Sequence, residues 1–122
     1  MSKHTHPVFG DTFLYSVRST FTNADTRADF IAWLKGGHLA DVVTAGALDA
    51  ELVEFELAPD APADAIADVE TRYHFASRAA FDAYANGPAV PLRAEGAAKF
   101  PPSRGIVMTR GFAQSTLRVL AM

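Results

Sequence analysis

The chain has 122 residues, a net charge of −3 and no cysteine. This length suits a single domain with its own core. The absence of cysteine excludes disulfides, thiolate metal ligands and cysteine nucleophiles. The slightly acidic balance argues against nucleic acid as a partner, and no stretch approaches the roughly 18 apolar residues of a membrane span or the pattern of a signal peptide. We therefore expect a cytoplasmic protein that binds neither nucleic acid nor membrane.

One domain is expected over residues 12–115, with a disordered tail at 1–11 and a C-terminal tail at 116–122. His4 and His6 could pair on a metal ion, but a solvated tail is the favoured interpretation. From residue 12 onward, apolar side chains occupy every second position, which predicts a strand with one buried face. That face holds Phe13, Tyr15, Val17, Ser19 and Phe21.

A helix is predicted to follow, with Thr22, Asn23 or Asp25 as its cap. Phe30, Trp33, Leu34 and then the level of Gly37 and His38 recur at helical spacing. Gly36 and Gly37 weaken a helix, by roughly 1 kcal/mol each relative to alanine. We expect the helix to bend there, to turn His38 and Asp41 toward the sheet, and to end before Gly46.

The second half predicts two strands, a helix and a last strand. The second strand, near residues 48–57, is expected to bury Val53, Phe55 and Leu57, and a proline-rich loop follows it. The third strand is expected to bury Val69, Thr71, Tyr73 and Phe75. Ser77 caps a helix that ends at the Asn86-Gly87-Pro88 stop, a short helical piece follows, and the last strand places on one face Ile106, Met108, Arg110 and Phe112.

The order strand, helix, strand, strand, helix, strand predicts an α+β, ferredoxin-like βαββαβ fold: a four-stranded antiparallel sheet with two helices on one face. The opposite face is expected to hold Arg18, Glu54, Glu56, Glu70, Arg72, His74 and Arg110 with Leu14, Ile106, Met108 and Phe112. It is either an exposed face with many salt bridges or the interface of a homodimer. Three apolar residues on the last strand alone favour the homodimer.

The stretches FIAWLKGGHLADVVTAGAL and YHFASRAAFDAYANGPAVPLRAEGAAKF, followed by GFA, resemble the dimeric α/β-barrel superfamily. Within it the chain is most similar to a family of small bacterial proteins known only as a domain of unknown function. The matching features are a tryptophan helix running into a histidine motif and a Pro-x-Leu-Arg motif. They fall here on Trp33, His38, Leu39, Val42, Gly46, Pro91, Leu92 and Arg93. The resemblance spans about residues 12–115.

The resemblance implies a dimeric barrel related in fold to cofactor-independent quinol monooxygenases, muconolactone-type isomerases, haem-degrading enzymes and stress-responsive proteins. Members often bind small aromatic molecules between sheet and helices or inside the barrel. Because a fold does not determine a function and these groups share no catalytic residues, the resemblance transfers none to this chain.

His38 is the strongest candidate for chemistry. Asp41, three residues further on, could accept a hydrogen bond from its imidazole and set the tautomer, which would make His38 a general base or a polar anchor. The alternative is a structural histidine that bonds a backbone carbonyl at the broken helix. A metal site of His38, Asp41 and His74 is disfavoured, because His74 is expected on the other side of the sheet.

Trp33, Tyr15 and Tyr73 would shape any pocket between sheet and helices, although aromatic residues at such spacing also form ordinary cores. The basic residues Arg93, Lys99 and Arg104, with Arg72 or Arg110, either hold an anion or form a solvated rim. The leading hypothesis is a small-molecule-binding protein without cofactor or metal. Within this hypothesis the protein either binds the molecule without changing it or acts as a monooxygenase-like or isomerase-like enzyme on an apolar or aromatic substrate. The competing hypothesis is a non-enzymatic dimeric module with a closed core around His38.

Overall fold

A computed structural model describes residues 5–8, as backbone only, and residues 11–121. The strands are β1 (Thr5–Val8), β2 (Thr12–Phe21), β3 (Asp49–Glu54), β4 (Val69–Phe75), β5 (Ile106–Ser115) and β6 (Arg118–Ala121). The helices are α1 (Ala24–Trp33), α2 (Leu39–Thr44), α3 (Arg78–Asn86) and α4 (Ala89–Lys99). A wide turn, Leu34–His38, joins α1 to α2, and a short 3-10 turn, Pro102–Arg104, precedes β5. Within the described residues, no helix is both long and apolar enough to cross a membrane.

The main sheet has four antiparallel strands in the order β3-β4-β2-β5, with the helices on one face. This confirms the expected ferredoxin-like βαββαβ fold. The two ends of the chain differ from the expected tails, because β1 and β6 pair as a separate antiparallel ribbon. Backbone pairing between the termini satisfies hydrogen-bonding groups that a tail would leave to water. His4 lies outside the described residues, as does the side chain of His6.

The helices begin where their caps are predicted. The Asn23 side chain accepts a hydrogen bond from the backbone nitrogen of Thr26 at 3.0 Å, and the Ser77 hydroxyl accepts one from Ala80 at 3.0 Å. Each bond satisfies a donor that the first turn of a helix leaves free. The expected inward faces of β2 and β4 are also correct. Together with the helices they enclose a core that includes Phe13, Tyr15, Phe21, Phe30, Leu34, Val42, Val69, Tyr73, Phe75, Phe81 and Tyr84.

The expected inward face of β3 is wrong by one residue. Ala50 and Leu52 pack against the core, whereas Val53 pairs with Glu70 on the face away from the helices. Glu54 therefore lies on the helix side, where it forms an ion pair with Lys35 at 3.3 Å. The predicted face relied on Phe55 and Leu57, which lie beyond the end of β3 at Glu54. Without them the alternation within this edge strand does not show which side is buried.

The expected face of β5 is also wrong. Ile106, Met108, Arg110 and Phe112 do share one face, but that face points toward the helices. The antiparallel register determines this, because Ile106 pairs with Phe21 and Arg110 pairs with the inward-facing Val17. The opposite side, which we call the open face, therefore holds the smaller or more polar residues of β5, Val107, Thr109, Gly111 and Ala113.

Candidate functional site

A cavity of about 520 Å³ lies between the sheet and the helices α1 and α4. Its volume falls within the range of known small-molecule pockets, roughly 300–1,000 Å³. The sheet contributes Tyr15, Val17, Thr71, Tyr73, Ile106, Val107, Met108 and Arg110. The helices, the wide turn and the following loop contribute Phe30, Trp33, Leu34, His38, Tyr84, Leu92, Arg93, Gly96, Ala97, Phe100, Pro101 and Pro102.

The wide turn places His38 in the wall of this cavity. The backbone nitrogen of Leu39 donates to the carbonyl of Leu34, five residues earlier, instead of the four of an α-helix. Gly37 has φ of +156°, a conformation that a residue with a side chain rarely adopts. The extra residue in the turn rotates the following positions about the helix axis. The expected bend at the two glycines is present, and it brings His38, not Asp41, toward the sheet.

The imidazole of His38 faces the cavity without a hydrogen bond to its own backbone. It stacks on the indole of Trp33 with ring centroids 4.0 Å apart and an angle of 20° between the planes. No partner for either ring nitrogen is present among the described residues. Burial lowers the pKa of His38, and the nearby carboxylates of Glu95 and Asp41 oppose that shift. The imidazole is therefore neutral at pH 7, the form that can accept a proton.

The expected hydrogen bond between Asp41 and His38 is not formed. Asp41 is exposed and does not line the cavity. Three residues along a regular helix would have brought the two side chains together, but His38 ends the wide turn and Asp41 belongs to α2. Asp41 therefore affects His38 through its charge alone and has no contact that could set the histidine tautomer.

The indole of Trp33 is fixed from the side of α4. Its Nε1 donates to the Oε1 of Glu95 at 3.2 Å. A Cβ placed on Gly96 would lie 3.2 Å from the ring carbon Cη2 of Trp33, so the missing side chain lets the indole approach the helix backbone. Phe100 packs on the same indole with centroids 5.4 Å apart. Trp33 and His38 together form a flat wall on the helix side of the cavity.

Tyrosines form much of the sheet side. The rings of Tyr15 and Tyr73 stack at a centroid distance of 6.0 Å. Burial raises the pKa of all three tyrosines that line the cavity, to about 12 for Tyr84, while Arg110 and Arg93 partly oppose the shift at Tyr15 and Tyr84. The hydroxyls therefore remain protonated at neutral pH and can donate hydrogen bonds.

Two arginines line the cavity, and no aspartate or glutamate does so among the described residues. Arg93 donates to the carbonyl of Ala85 at 2.9 Å, and neither Arg93 nor Arg110 has a carboxylate within 4 Å in residues 11–121. The rest of the predicted basic run is neutralised. Lys99 lies 3.7 Å from Glu95, and Arg104 lies 2.7 Å from Asp29.

The structure thus places five of the six predicted site residues in one cavity: His38, Trp33, Tyr15, Tyr73 and Arg93. Sequence reasoning missed Tyr84 as a site residue and misplaced Arg110, which it had named as a possible contact for an anion. Arg110 was expected on the open face, and Tyr84 was treated as core. The signal that could have identified Arg110 is its strand: the apolar set of β5 belongs against the helices, and Arg110 alternates with that set.

No group of three or more His, Asp or Glu side chains in the described part of the chain could hold a metal ion. His74 lies on the open face, where its Nδ1 is 3.0 Å from Asp49, so the sheet separates it from His38.

No family model matches the sequence, and no curated protein matches it. Solved structures do. A dimeric ferredoxin-like protein from an uncultured marine organism has a TM-score of 0.67 at 13% identity, covering 86% of this chain and 95% of its own. SnoaB from Streptomyces nogalater, a cofactor-independent oxygenase, has a TM-score of 0.59 at 16% identity, covering 87% and 94%. A protein from Shewanella oneidensis has a TM-score of 0.58 at 19% identity, covering 95% and 100%.

At these identities the similarities concern the fold alone. They confirm the predicted ferredoxin-like fold, which this chain shares with the dimeric ferredoxin-like protein from the marine organism.

Proposed function

We propose that this protein binds a small aromatic molecule in the cavity between its sheet and helices. The observation that supports this most directly is the cavity itself, about 520 Å³ in volume with the neutral imidazole of His38 in its wall. A closed core around His38 would have favoured the non-enzymatic module instead. The flat rings of Trp33, His38 and Tyr15 line the space and can stack on an aromatic ligand.

Thermal unfolding with a panel of two-ring and three-ring aromatic compounds tests the binding function. A ligand at 100 times its Kd stabilises the folded state by about 2.7 kcal/mol, which raises Tm by several degrees in a domain of this size. Ala97→Phe fills the cavity and should abolish the shift. Ala98→Phe changes the neighbouring residue of α4, which does not line the cavity, and should preserve it.

If no compound raises the Tm of the wild type, or if Ala97→Phe keeps the full shift, the cavity is not the binding site. His38→Ala tests the histidine separately. A compound that stabilises the wild type and His38→Ala equally would remove His38 from the site while leaving the cavity function intact.

We propose further that the bound molecule reacts without a cofactor, with His38 as general base. The neutral imidazole lines the cavity and has no hydrogen-bond partner among the described residues, so it can take a proton from an acidic C–H or O–H of the substrate and become imidazolium. This is the first step of both an isomerisation and a reaction of the resulting carbanion with dissolved oxygen. The structural similarity to SnoaB, a cofactor-independent oxygenase, agrees with the second.

Each compound that binds should be incubated with the protein in D2O under air and analysed by mass spectrometry. A product of unchanged elemental composition that carries carbon-bound deuterium and separates from the substrate in chromatography indicates an isomerase. A product that has gained one oxygen atom and lost two hydrogens, with the second oxygen leaving as water, indicates a monooxygenase. His38→Gln should slow either change by about 10² or more. Equal rates in the wild type and in His38→Gln would exclude His38 as the base.

We propose that the open face forms a homodimer. The original reason no longer applies, because Ile106, Met108 and Phe112 face the helices. Support comes instead from the ferredoxin-like neighbour that is itself dimeric and from Leu14, Val53 and Val107 on the open face. Sedimentation at micromolar concentration should give twice the chain mass of 13.1 kDa. A monomer under these conditions would overturn the proposal.

A further inference from the structure

The charges around the cavity are unbalanced. Arg93 and Arg110 line it, and no carboxylate of the described residues does so. Four other arginines have an acidic partner, for example Arg18 at 2.9 Å from Asp68 and Arg72 at 2.7 Å from Glu70. Among the described residues Arg27, which donates to the carbonyl of Ala67, and Arg118 have no such partner either. In a chain with net charge −3, acidic side chains are abundant enough to neutralise Arg93 and Arg110. Their absence at the cavity leaves both guanidinium groups available to an anionic ligand.

We infer that the ligand is an aromatic carboxylic acid whose carboxylate lies between Arg93 and Arg110 and whose ring system lies along the Trp33 and His38 wall. This inference rests on the proposed function, because it names the chemical class of the molecule that the cavity binds.

The two arginines come from different walls of the cavity. Arg93 comes from α4, and its hydrogen bond to the carbonyl of Ala85 anchors one of its nitrogens at the end of α3. Arg110 comes from β5, where it pairs with Val17 on the helix side of the sheet. All four side chains of Arg93, Arg110, Tyr15 and Tyr84 belong to residues that line the same cavity, and both positive charges act to lower the pKa of the two tyrosines.

This arrangement suits a carboxylate better than a neutral polar group. A guanidinium has five donors in a planar fork, which matches the two oxygens of a carboxylate. Arg93 uses one donor on Ala85 and keeps the others. The protonated hydroxyls of Tyr15 and Tyr84 can add neutral donors at the same place. Both arginines are exposed and stay hydrated beside a neutral ligand, but such a ligand would not form the charge-assisted hydrogen bonds that a carboxylate forms with them.

The remaining wall accommodates the ring system. The Trp33 and His38 plane and the stacked pair of Tyr15 and Tyr73 offer flat surfaces, and Phe30, Phe100 and Leu92 complete an apolar lining. A carboxylate bound at the arginines would direct the rest of the molecule away from them, toward His38. The inference thus gives the ligand an orientation as well as a charge.

The test compares 2-naphthoate with 2-naphthamide by titration calorimetry on the full chain. The two probes share shape and ring system and differ in charge. The wild type should bind the acid at least about tenfold more tightly than the amide, a difference typical of charge-assisted hydrogen bonds. The double variant Arg93→Gln, Arg110→Gln should lose this preference, with amide affinity within about twofold of the wild type.

Arg118→Gln is the matched control. Arg118 is exposed on β6 and does not line the main cavity. Its replacement removes one positive charge, as each of the two arginine substitutions does, but leaves the site unchanged. Circular dichroism of each variant shows whether the fold is intact. The control should keep the full preference for the acid.

Equal binding of acid and amide to the wild type overturns the inference while the binding function stands. So does an equal loss of affinity in Arg118→Gln, which would mean that net charge and not position determines the preference. If neither probe binds the wild type at millimolar concentration, the proposed function fails, and the inference fails with it.

Discussion

The open face and the cavity wall differ in how their charged and polar side chains are paired. On the open face the charges pair with each other: Arg72 lies 2.7 Å from Glu70 and 3.6 Å from Glu51, and His74 lies 3.0 Å from Asp49. In the cavity wall, His38 and Arg110 have no such partner among residues 11–121. The helix-side ion pair of Lys35 and Glu54 lies outside the cavity lining. Paired charges on a surface contribute little to stability, whereas unpaired polar groups around a cavity are available to a ligand.

The largest expected effect separates the two faces within one strand. Phe75 and His74 are neighbours in β4 on opposite sides, Phe75 with no exposed surface and His74 on the open face. Phe75→Ala leaves a cavity between Phe81 and Tyr84 and should lower the free energy of unfolding by about 3–5 kcal/mol. His74→Ala should change it by less than about 1 kcal/mol. Urea denaturation measures both, and similar losses would contradict the difference between the faces.

The second largest expected change in stability concerns Gly37 in the wide turn, which places His38 in the cavity wall. Gly37→Ala forces a side chain into φ of +156° and should destabilise the fold by about 1–2 kcal/mol. Gly36→Ala is the matched control, because its Cβ would meet nothing within 4 Å and the replacement restricts the unfolded chain. It should be neutral or stabilising by up to about 1 kcal/mol. If the two substitutions have equal effects, the wide turn does not depend on Gly37.

The smallest expected effect is the pH dependence contributed by His38. Because burial lowers the pKa of His38 below its ordinary value of 6.5, the unfolded chain binds the proton more tightly than the folded chain. The stability contributed by neutral His38 is therefore complete above about pH 6.5 and decreases as the pH falls from there to the folded-state pKa.

His38→Gln removes this titration and serves as the reference. The free energy of unfolding of the wild type minus that of the variant should decrease on acidification from pH 7.5 to pH 5, and NMR should give a histidine pKa below 6.5. A difference that is constant over this range, or that increases on acidification, would mean that the imidazole is not desolvated in the wall.

Much of the fold could be predicted from sequence because its signals are local. The alternation in β2 and β4 and the caps Asn23 and Ser77 each depend on a few neighbouring residues. The faces of β3 and β5 could not be assigned in this way. Both are edge strands with apolar residues on either side, and only pairing with a distant strand decides which side is buried.

The residues of the candidate site also divide into those marked by local sequence and those whose place depends on distant strand pairing. His38, Trp33 and Arg93 could be identified because a broken helix and a short motif marked them. The place of Arg110 in the cavity could not be predicted. It depends on the register between β2 and β5, which are about 90 residues apart along the chain. Asp41 was wrongly predicted to belong to the site. Its spacing from His38 assumes a regular helix, and the wide turn between them removes that regularity.

The position of Trp33 also determines where the protein's tryptophan fluorescence originates. Trp33 is the only tryptophan of the chain, and it lies in the cavity wall with one contact on His38 and another on Glu95. The intrinsic fluorescence of this protein at tryptophan wavelengths therefore originates at a single place, the wall that a ligand would touch. The native chain contains its own optical probe of occupancy and of the ionisation of His38, without any label.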